Sequence, residues 1–281
     1  MKVVLAGAFG HLGEDILRSL VRAGHEVKAA DMVTREIEGC EGFTPVKVDM
    51  TDRESLKGLC DGADVVITTV GLTKTSATLT NYDIDWGANK NLVDEAVAAG
   101  VKNFAYISVL KADKAPKVPM LDAKAKLEEY LKQSGMTWVI FRPTGYFYDI
   151  AKVFMPMVEK GKVTLLGKDE VHANVVDTPD FADFIVEHML DENKTYDVGG
   201  KETYSYEELA NMFFEAAGKE PVISRAPTWL FDVLAWVNKL KKNGKDAIIK
   251  FSKWTLTEEM VGDTKVGEHS FAEYIKNCYK K

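Results

Sequence analysis

Near the start of the chain stands Val3-Val4-Leu5-Ala6-Gly7-Ala8-Phe9-Gly10-His11-Leu12-Gly13, four apolar residues followed by glycines in a GxxGxxG spacing. The apolar run reads as a buried strand, and the residues from His11 to Ala23 carry the period of a helix. Glycines are needed where such a strand passes into such a helix. The chain must turn tightly, bring its backbone close to a bound phosphate, and then pack the helix against the strand. The helix N-terminus adds free N–H groups and a partial positive charge, which suit a pyrophosphate.

The same alternation continues outward from this turn. Strands are expected at Val27 to Ala30, Thr44 to Val48, Val65 to Thr69, Phe104 to Ser108 and Trp138 to Phe141. Helical stretches run from about Arg53 to Cys60, through Leu92, Val93, Ala96 and Val97 to a cap at Gly100, and from Leu121 to Gln133. Successive βα units of this kind predict an α/β fold, a doubly wound parallel Rossmann sheet. After Tyr148 the rhythm changes. A helix is expected near Asp149 to Glu159, short strands at Val163 to Leu166 and Ala173 to Val176, and helices at Ala182 to Leu190 and Tyr206 to Ala217. Residues 1–150 are therefore read as a dinucleotide-binding domain. Residues 151–281 are read as a smaller C-terminal substrate-binding part that completes the sheet, with the tail from Ala226 packing over its open end as a lid.

Asp31 closes the second strand, beyond the helix that Gly13 opens. A carboxylate there accepts hydrogen bonds from adenosine ribose hydroxyls and repels a 2′-phosphate, which favours NAD. Arg35 keeps NADP open, because folded over the ribose it would pair with the extra phosphate. Cofactor contacts are thus expected from Gly7, Phe9, Gly10, His11, Leu12 and Gly13, from Asp31 and Arg35, from Asp49 with Met50, and from Thr69, Val70 and Gly71. Asp49 has two readings, a partner of the adenine amino group or a helix cap, and Gly71 likewise is either a close backbone contact or a plain turn.

Composition narrows the remaining classes. The 281 residues carry a net charge of −7, which opposes nucleic-acid binding. Cys40, Cys60 and Cys278 are odd in number and far apart, so neither disulfides nor a zinc site is expected, and a reducing cytoplasm fits. The five histidines show no ligand spacing and no metal is expected. No apolar run is long enough to span a bilayer, so stable membrane insertion is not expected, and the chain is read as cytoplasmic, a monomer or homodimer acting on a small molecule. One apolar stretch, Trp229-Leu230-Phe231-Asp232-Val233-Leu234-Ala235-Trp236-Val237, reads first as a buried lid helix, with the wall of an apolar substrate pocket, a dimer contact or a membrane-surface element as its alternatives.

Together with the glycine turn, Asp31 and the Asp49 segment, the residues Asn89-Lys90-Asn91-Leu92-Val93, Phe104-Ala105-Tyr106-Ile107-Ser108 and Arg142-Pro143 resemble the short-chain dehydrogenase/reductase superfamily, in its extended and NmrA-like atypical branches. A looser likeness, in Ala125-Lys126-Leu127, Arg142-Pro143-Thr144-Gly145-Tyr146-Phe147 and Pro227 to Val237, is to divinyl chlorophyllide 8-vinyl reductases. The superfamily usually carries YxxxK, a tyrosine that handles the substrate proton and a lysine that lowers its pKa and binds the nicotinamide ribose. Counting back from Arg142, that lysine falls on Lys124, which puts Met120 at the tyrosine position; taking Lys126 instead puts Asp122 there. The tyrosine is absent. A positioned acid or base is worth ~10² to 10⁴ in rate, so the loss bears on chemistry. Candidate replacements are Lys124 itself, Tyr146, Tyr148 and Ser108, with His172 and Tyr82 weaker; the plainer readings are aromatic wall or core for Tyr146 and Tyr148, a strand-end hydrogen bonder for Ser108 and a solvated helix residue for Lys124. The resemblance implies an NAD(P)H-dependent reductase, more plausibly of an activated C=C bond than of a ketone. Its alternatives are a non-catalytic NmrA-like sensor or assembly factor and, third, an epimerase or dehydratase.

Overall fold

The computed structural model describes residues 1–72, 76, 78–168 and 170–280. The chain divides into two compact units, one of Met1–Arg142 with Phe181–Tyr196 and the other of Pro143–Asp180 with Asp197–Lys281.

The first unit is built of βα repeats. In order along the chain these are β1 (Lys2–Ala6), α1 (His11–Arg22), β2 (Glu26–Asp31), β3 (Phe43–Lys47), α2 (Arg53–Leu56), β4 (Val65–Thr68), a π-helix (Tyr82–Ala88), α3 (Asn89–Ala98), β5 (Asn103–Ile107), α4 (Pro119–Lys132) and β6 (Thr137–Pro143). Val3, Val4, Leu5 and Ala6 of β1 are buried on both faces, as a central parallel strand requires. Val3 lies between Val27 of β2 and Val65 of β4, with all three strands parallel. Helix α1 turns Leu12, Ile16, Leu17 and Leu20 inward. The chain leaves it at Gly24, whose φ of 76° lies in the left-handed region that favours glycine.

The second unit holds α5 (Phe147–Glu159), β7 (Val163–Leu166), β8 (His172–Ala173), β10 (Tyr204–Ser205), α7 (Tyr206–Ala216), β11 (Ile223–Ala226), α8 (Trp229–Leu240), α9 (Lys245–Thr255), β12 (Thr264–Val266) and α10 (Phe271–Tyr279). α6 (Thr178–His188) and β9 (Lys194–Gly200) are each divided between the units, as is β6 at its last residue, Pro143. An aromatic core forms where Phe154 stacks on Phe213 at 5.3 Å and Phe271 meets Phe147 at 4.6 Å. The central sheet has eight strands in the order β12-β9-β6-β5-β4-β1-β2-β3, a Rossmann-type arrangement.

Three expectations are corrected. The helix expected from Arg53 to Cys60 stops at Leu56, because the chain turns at Gly58 with φ 75°. The strand expected from Ala173 to Val176 is confined to His172–Ala173; Asn174 bonds instead to Met260 O, and Val176 to Gly145 O. Strand β9 lies where none was expected: its buried Tyr196 and Val198 alternate with Thr195 and Asp197, a signal of only two apolar positions before the glycines. Its glycines are there for close approach: a Cβ on Gly199 would stand 2.1 Å from Asn174 Oδ1, and one on Gly200 would stand 2.0 Å from Val175 O.

Candidate functional site

The turn between β1 and α1 is shaped by what a side chain would strike. Gly7 has φ 79° and donates its N–H to Ala30 O at 2.9 Å, which ties the turn to the end of β2. A Cβ on Gly13 would lie 2.0 Å from Gly7 O, so this glycine lets the helix close onto the turn. Gly10 differs. Its φ is −73°, it is exposed, and a Cβ there would meet only Gly7 O at 3.4 Å, which leaves its outer face open to an approaching group. No side chain caps α1, leaving its N-terminal charge for an anion. His11 and Leu12 open that helix, His11 exposed and Leu12 buried.

Asp31 stands beside the turn at the end of β2. Its Oδ2 accepts from Phe9 N at 3.2 Å and its Oδ1 from Met32 N at 2.7 Å. The carboxylate is thus aimed by backbone while each oxygen keeps a lone pair. The Arg35 guanidinium pairs with Glu14, and its central carbon lies 5.9 Å from the centre of the Phe9 ring. Glu14 is shared with Arg18 at 2.9 Å. Burial raises the Glu14 carboxyl, but the hydrogen bonds from Arg35 and Arg18 outweigh it and hold the group below the usual carboxylate value.

Asp49 shapes its own loop: Oδ1 accepts from Thr51 N at 2.9 Å and from Thr51 Oγ1 at 2.7 Å. The cap of α2 is Asp52, whose carboxylate takes Glu54 N at 3.0 Å. Met50 is buried in the core. Thr69 donates its hydroxyl to Gly7 O at 3.1 Å, Val70 donates its N–H to Thr68 Oγ1 at 3.2 Å, and Gly71 faces a carboxylate, since a Cβ there would lie 2.9 Å from Asp85 Oδ1.

That carboxylate belongs to the π-helix and is only 1% exposed. Asp85 Oδ2 accepts from Asn81 Nδ2 at 2.9 Å and Leu72 N at 3.3 Å, while Oδ1 has no hydrogen-bond partner and stands 3.4 Å from Lys124 Nζ. Lys124, 8% exposed, also donates to Ile107 O at 3.3 Å and to Tyr106 Oη at 3.5 Å. π-Turns recur at functional sites because they widen a helix and re-aim its side chains. Here Asn89 supports the widened backbone. Its Nδ2 donates to the carbonyls of Val70, Ile84 and Asp85 at 3.0 to 3.2 Å, and its Oδ1 accepts from Thr68 Oγ1 at 2.6 Å.

A tyrosine does therefore touch the lysine, but from a strand. Tyr106 is wholly buried, and that burial, with Asp85 and Glu128 near, pushes its hydroxyl well above the ordinary value. At the expected tyrosine position, Met120 offers no proton, and Asp122 is engaged by Tyr82 Oη at 2.8 Å and Lys126 at 2.9 Å. Ser108 donates to Glu128, which Arg142 grips through both nitrogens of a fork.

Tyr146 and Tyr148 lie in the second unit, stacked at 5.6 Å. Burial raises the Tyr146 hydroxyl well above its usual value, aided by Tyr148 and Asp149. His172 pairs with Glu259 at 3.2 Å. One cluster went unforeseen: His269 Nδ1 lies 2.9 Å from Asp177 Oδ2 and 3.1 Å from Asp180 Oδ1. Asp180 Oδ2 also accepts from the N–H groups of Glu268 and His269, so the three residues are bound to one another as a loop clasp.

Asp85, Asn81 and the contact of Tyr106 with Lys124 were not foreseen. The only trace of the first two is a polar segment between a strand and a helix, which reads as loop.

A Rossmann sheet with a glycine turn and an aimed carboxylate at its second strand defines the class, a nucleotide-binding α/β fold. Residues 1–265 match the NmrA-like family, and the chain belongs to it. Among curated relatives, the photosystem II assembly factor Ycf39 of Synechocystis sp. is 28% identical over 232 residues, 81% of this chain and 71% of that protein. The chloroplastic divinyl chlorophyllide a 8-vinyl-reductase of Zea mays is 26% identical over 309 residues, 95% of this chain and 74% of that one. Among solved structures, the NADPH-dependent quinone oxidoreductase QOR2 of Escherichia coli, complexed with NADPH, superposes over 100% of both chains with a TM-score of 0.76 at 19% identity. The resemblance drawn from Gly7–Gly13 and Arg142-Pro143 thus holds at the level of family and fold.

Proposed function

We propose that the chain is an NAD(P)H-dependent reductase of a small or medium organic acceptor carrying an activated C=C bond. The observation that carries this reading is Lys124, a nearly buried ammonium held by Asp85 beside Gly71, with no tyrosine at position 120. The cofactor fits the residues present. The pyrophosphate would lie on the backbone from Gly7 to Gly13, the adenosine ribose on Asp31, and the nicotinamide ribose near Gly71 and Lys124. When bound, the nicotinamide supplies a hydride.

Reduction of a conjugated acceptor leaves negative charge spread over an enolate, and a fixed cation stabilises it without a hydroxyl acid at a carbonyl oxygen. Lys124 fills that role: Asp85 Oδ1 stands 3.4 Å from its Nζ, Ile107 O aims it, and its Nζ can hand a proton to carbon and recover one from water. Ser108, committed to Glu128, is left as an acceptor that orients substrate. The test is NADH oxidation over a panel of enones, quinones and ketones. Turnover of conjugated acceptors is expected; turnover confined to ketones refutes the reading.

The second reading, an assembly factor that binds dinucleotide without turnover, is supported by the similarity to Ycf39. It predicts tight cofactor binding, no oxidation with any acceptor, and a partner protein that copurifies.

Cofactor choice follows from the same geometry. Asp31 lies at the adenosine ribose position while Glu14 neutralises Arg35, so NADH is expected to bind better than NADPH. Asp31→Ser together with Glu14→Gln removes a repelling carboxylate and frees a guanidinium. A charge-assisted hydrogen bond of about 1.5–3 kcal/mol would then shift the ratio of the two dissociation constants toward NADPH by at least about tenfold. Fluorescence titration with each dinucleotide measures that ratio.

A further inference from the structure

Helix α8 presents its apolar side to solvent. Trp229, Trp236 and Leu240 are 57%, 63% and 64% exposed, and Leu230, Val233 and Leu234 are exposed beside them. The inner side is modest: Ala235 is the helix's only buried residue, and the contact with α9 is supported by the pair Asp232–Lys253 at 2.7 Å. With about 100° between successive helical residues, Trp236, Trp229, Leu240, Val233, Val237, Leu230 and Leu234 fill an arc of roughly 160° without a polar interruption. A surface helix of a folded domain normally turns such an arc inward. An exposed stripe of this size marks a docking surface.

The occupant is indicated by what surrounds the stripe. Lys239, Lys241, Lys242 and Lys245, all exposed, gather at the C-terminal end of α8 and in the turn to α9. This concentration of positive charge stands out in a chain of net charge −7. Trp229 and Trp236 lie side by side at one edge of the arc, where an indole can place its ring in hydrocarbon and its N–H among headgroups. Pairing with a second copy of α8 would use only a narrow seam and leave half of so wide an arc in water. A helix of 12 residues offers too little area for a standard interface of roughly 800 Å² per partner, since it is only about 18 Å long. A bilayer surface covers the full arc, and lysines beside it attract anionic headgroups. Among the described residues no helix is long and apolar enough to cross a membrane, so the geometry is that of an element lying in the interface.

We propose that α8, with the lysines that follow it, docks this protein on the surface of an anionic lipid bilayer. The proposal is independent of the cofactor and of catalysis. The experiment uses the full chain with vesicles of phosphatidylcholine alone and of phosphatidylcholine with phosphatidylglycerol. Flotation with the anionic vesicles, a blue shift of tryptophan emission, and loss of binding as salt rises are expected. Trp229→Ser with Trp236→Ser should lower the vesicle partition coefficient by at least about tenfold, and Lys241→Glu with Lys242→Glu should abolish the preference for anionic lipid. These side chains are exposed, so both variants should keep the parent melting temperature. Failure to float with anionic vesicles at low salt overturns the proposal. So does equal binding to both vesicle types, or a dimer in sedimentation velocity that Trp236→Ser dissolves.

Discussion

Replacing Gly13 with valine should abolish dinucleotide binding and lower the melting temperature by roughly 10 °C. A Cβ at this position would lie 2.0 Å from Gly7 O and 2.9 Å from Gly7 C, so either α1 or the turn must move. Overpacking of this kind costs about 3 kcal/mol, and each kcal/mol shifts the midpoint of a chain this size by about 2–4 °C. The companion variant Gly10→Ala separates stability from binding. Its φ of −73° suits alanine and the added methyl meets only Gly7 O at 3.4 Å, so the fold should melt within a few degrees of the parent. That methyl nevertheless occupies the open side of the turn, where the pyrophosphate is proposed to approach, and affinity for NADH should fall at least about tenfold. Calorimetric titration and thermal unfolding of both variants give the comparison. If Gly10→Ala binds like the parent, the phosphate does not lie on this turn.

These two glycines show what can be read from residues alone. Their spacing, and the fully buried runs Val65–Thr68 and Phe104–Ile107, were legible because parallel strands covered on both faces leave continuous apolar stretches. Strand β9 was not legible. Its alternation is confined to Tyr196 and Val198 and ends in Gly199 and Gly200, and the reason for the glycines lies at Asn174 and Val175, beyond the whole of α6.

Period alone also fails to say which way an apolar stripe faces. Trp229 to Val237 announced an amphipathic helix, but a buried lid and an exposed docking helix have the same period, and only the fold distinguishes them. Candidate site residues divide in the same way. Lys124 was reached by counting from Arg142, whereas its partner Asp85 was hidden, because a π-helix whose inward residues are Asp85 and Ala88, followed by buried Asn89, has no apolar period to detect.

The Asp85–Lys124 pair should give the largest stability effect in the molecule. Asp85→Ala leaves an ammonium almost fully buried with only Ile107 O and Tyr106 Oη to receive it. Breaking a buried pair from one side costs about 3–5 kcal/mol. Lys124→Met is expected to be milder, since Asp85 Oδ2 retains Asn81 and Leu72 N. The double variant Asp85→Ala/Lys124→Met removes both charges and fills the space with apolar atoms. It should recover much of the loss, giving a coupling energy of at least about 2 kcal/mol from chemical denaturation. Stability and turnover should then part company. A double variant that folds nearly as well as the parent has lost the cation proposed to stabilise the enolate, and its rate with a conjugated acceptor should be lower by ~10² to 10⁴. An additive result would mean that the two charges do not support each other. A restored fold with undiminished turnover would leave Lys124 as a structural residue and move the proton chemistry elsewhere.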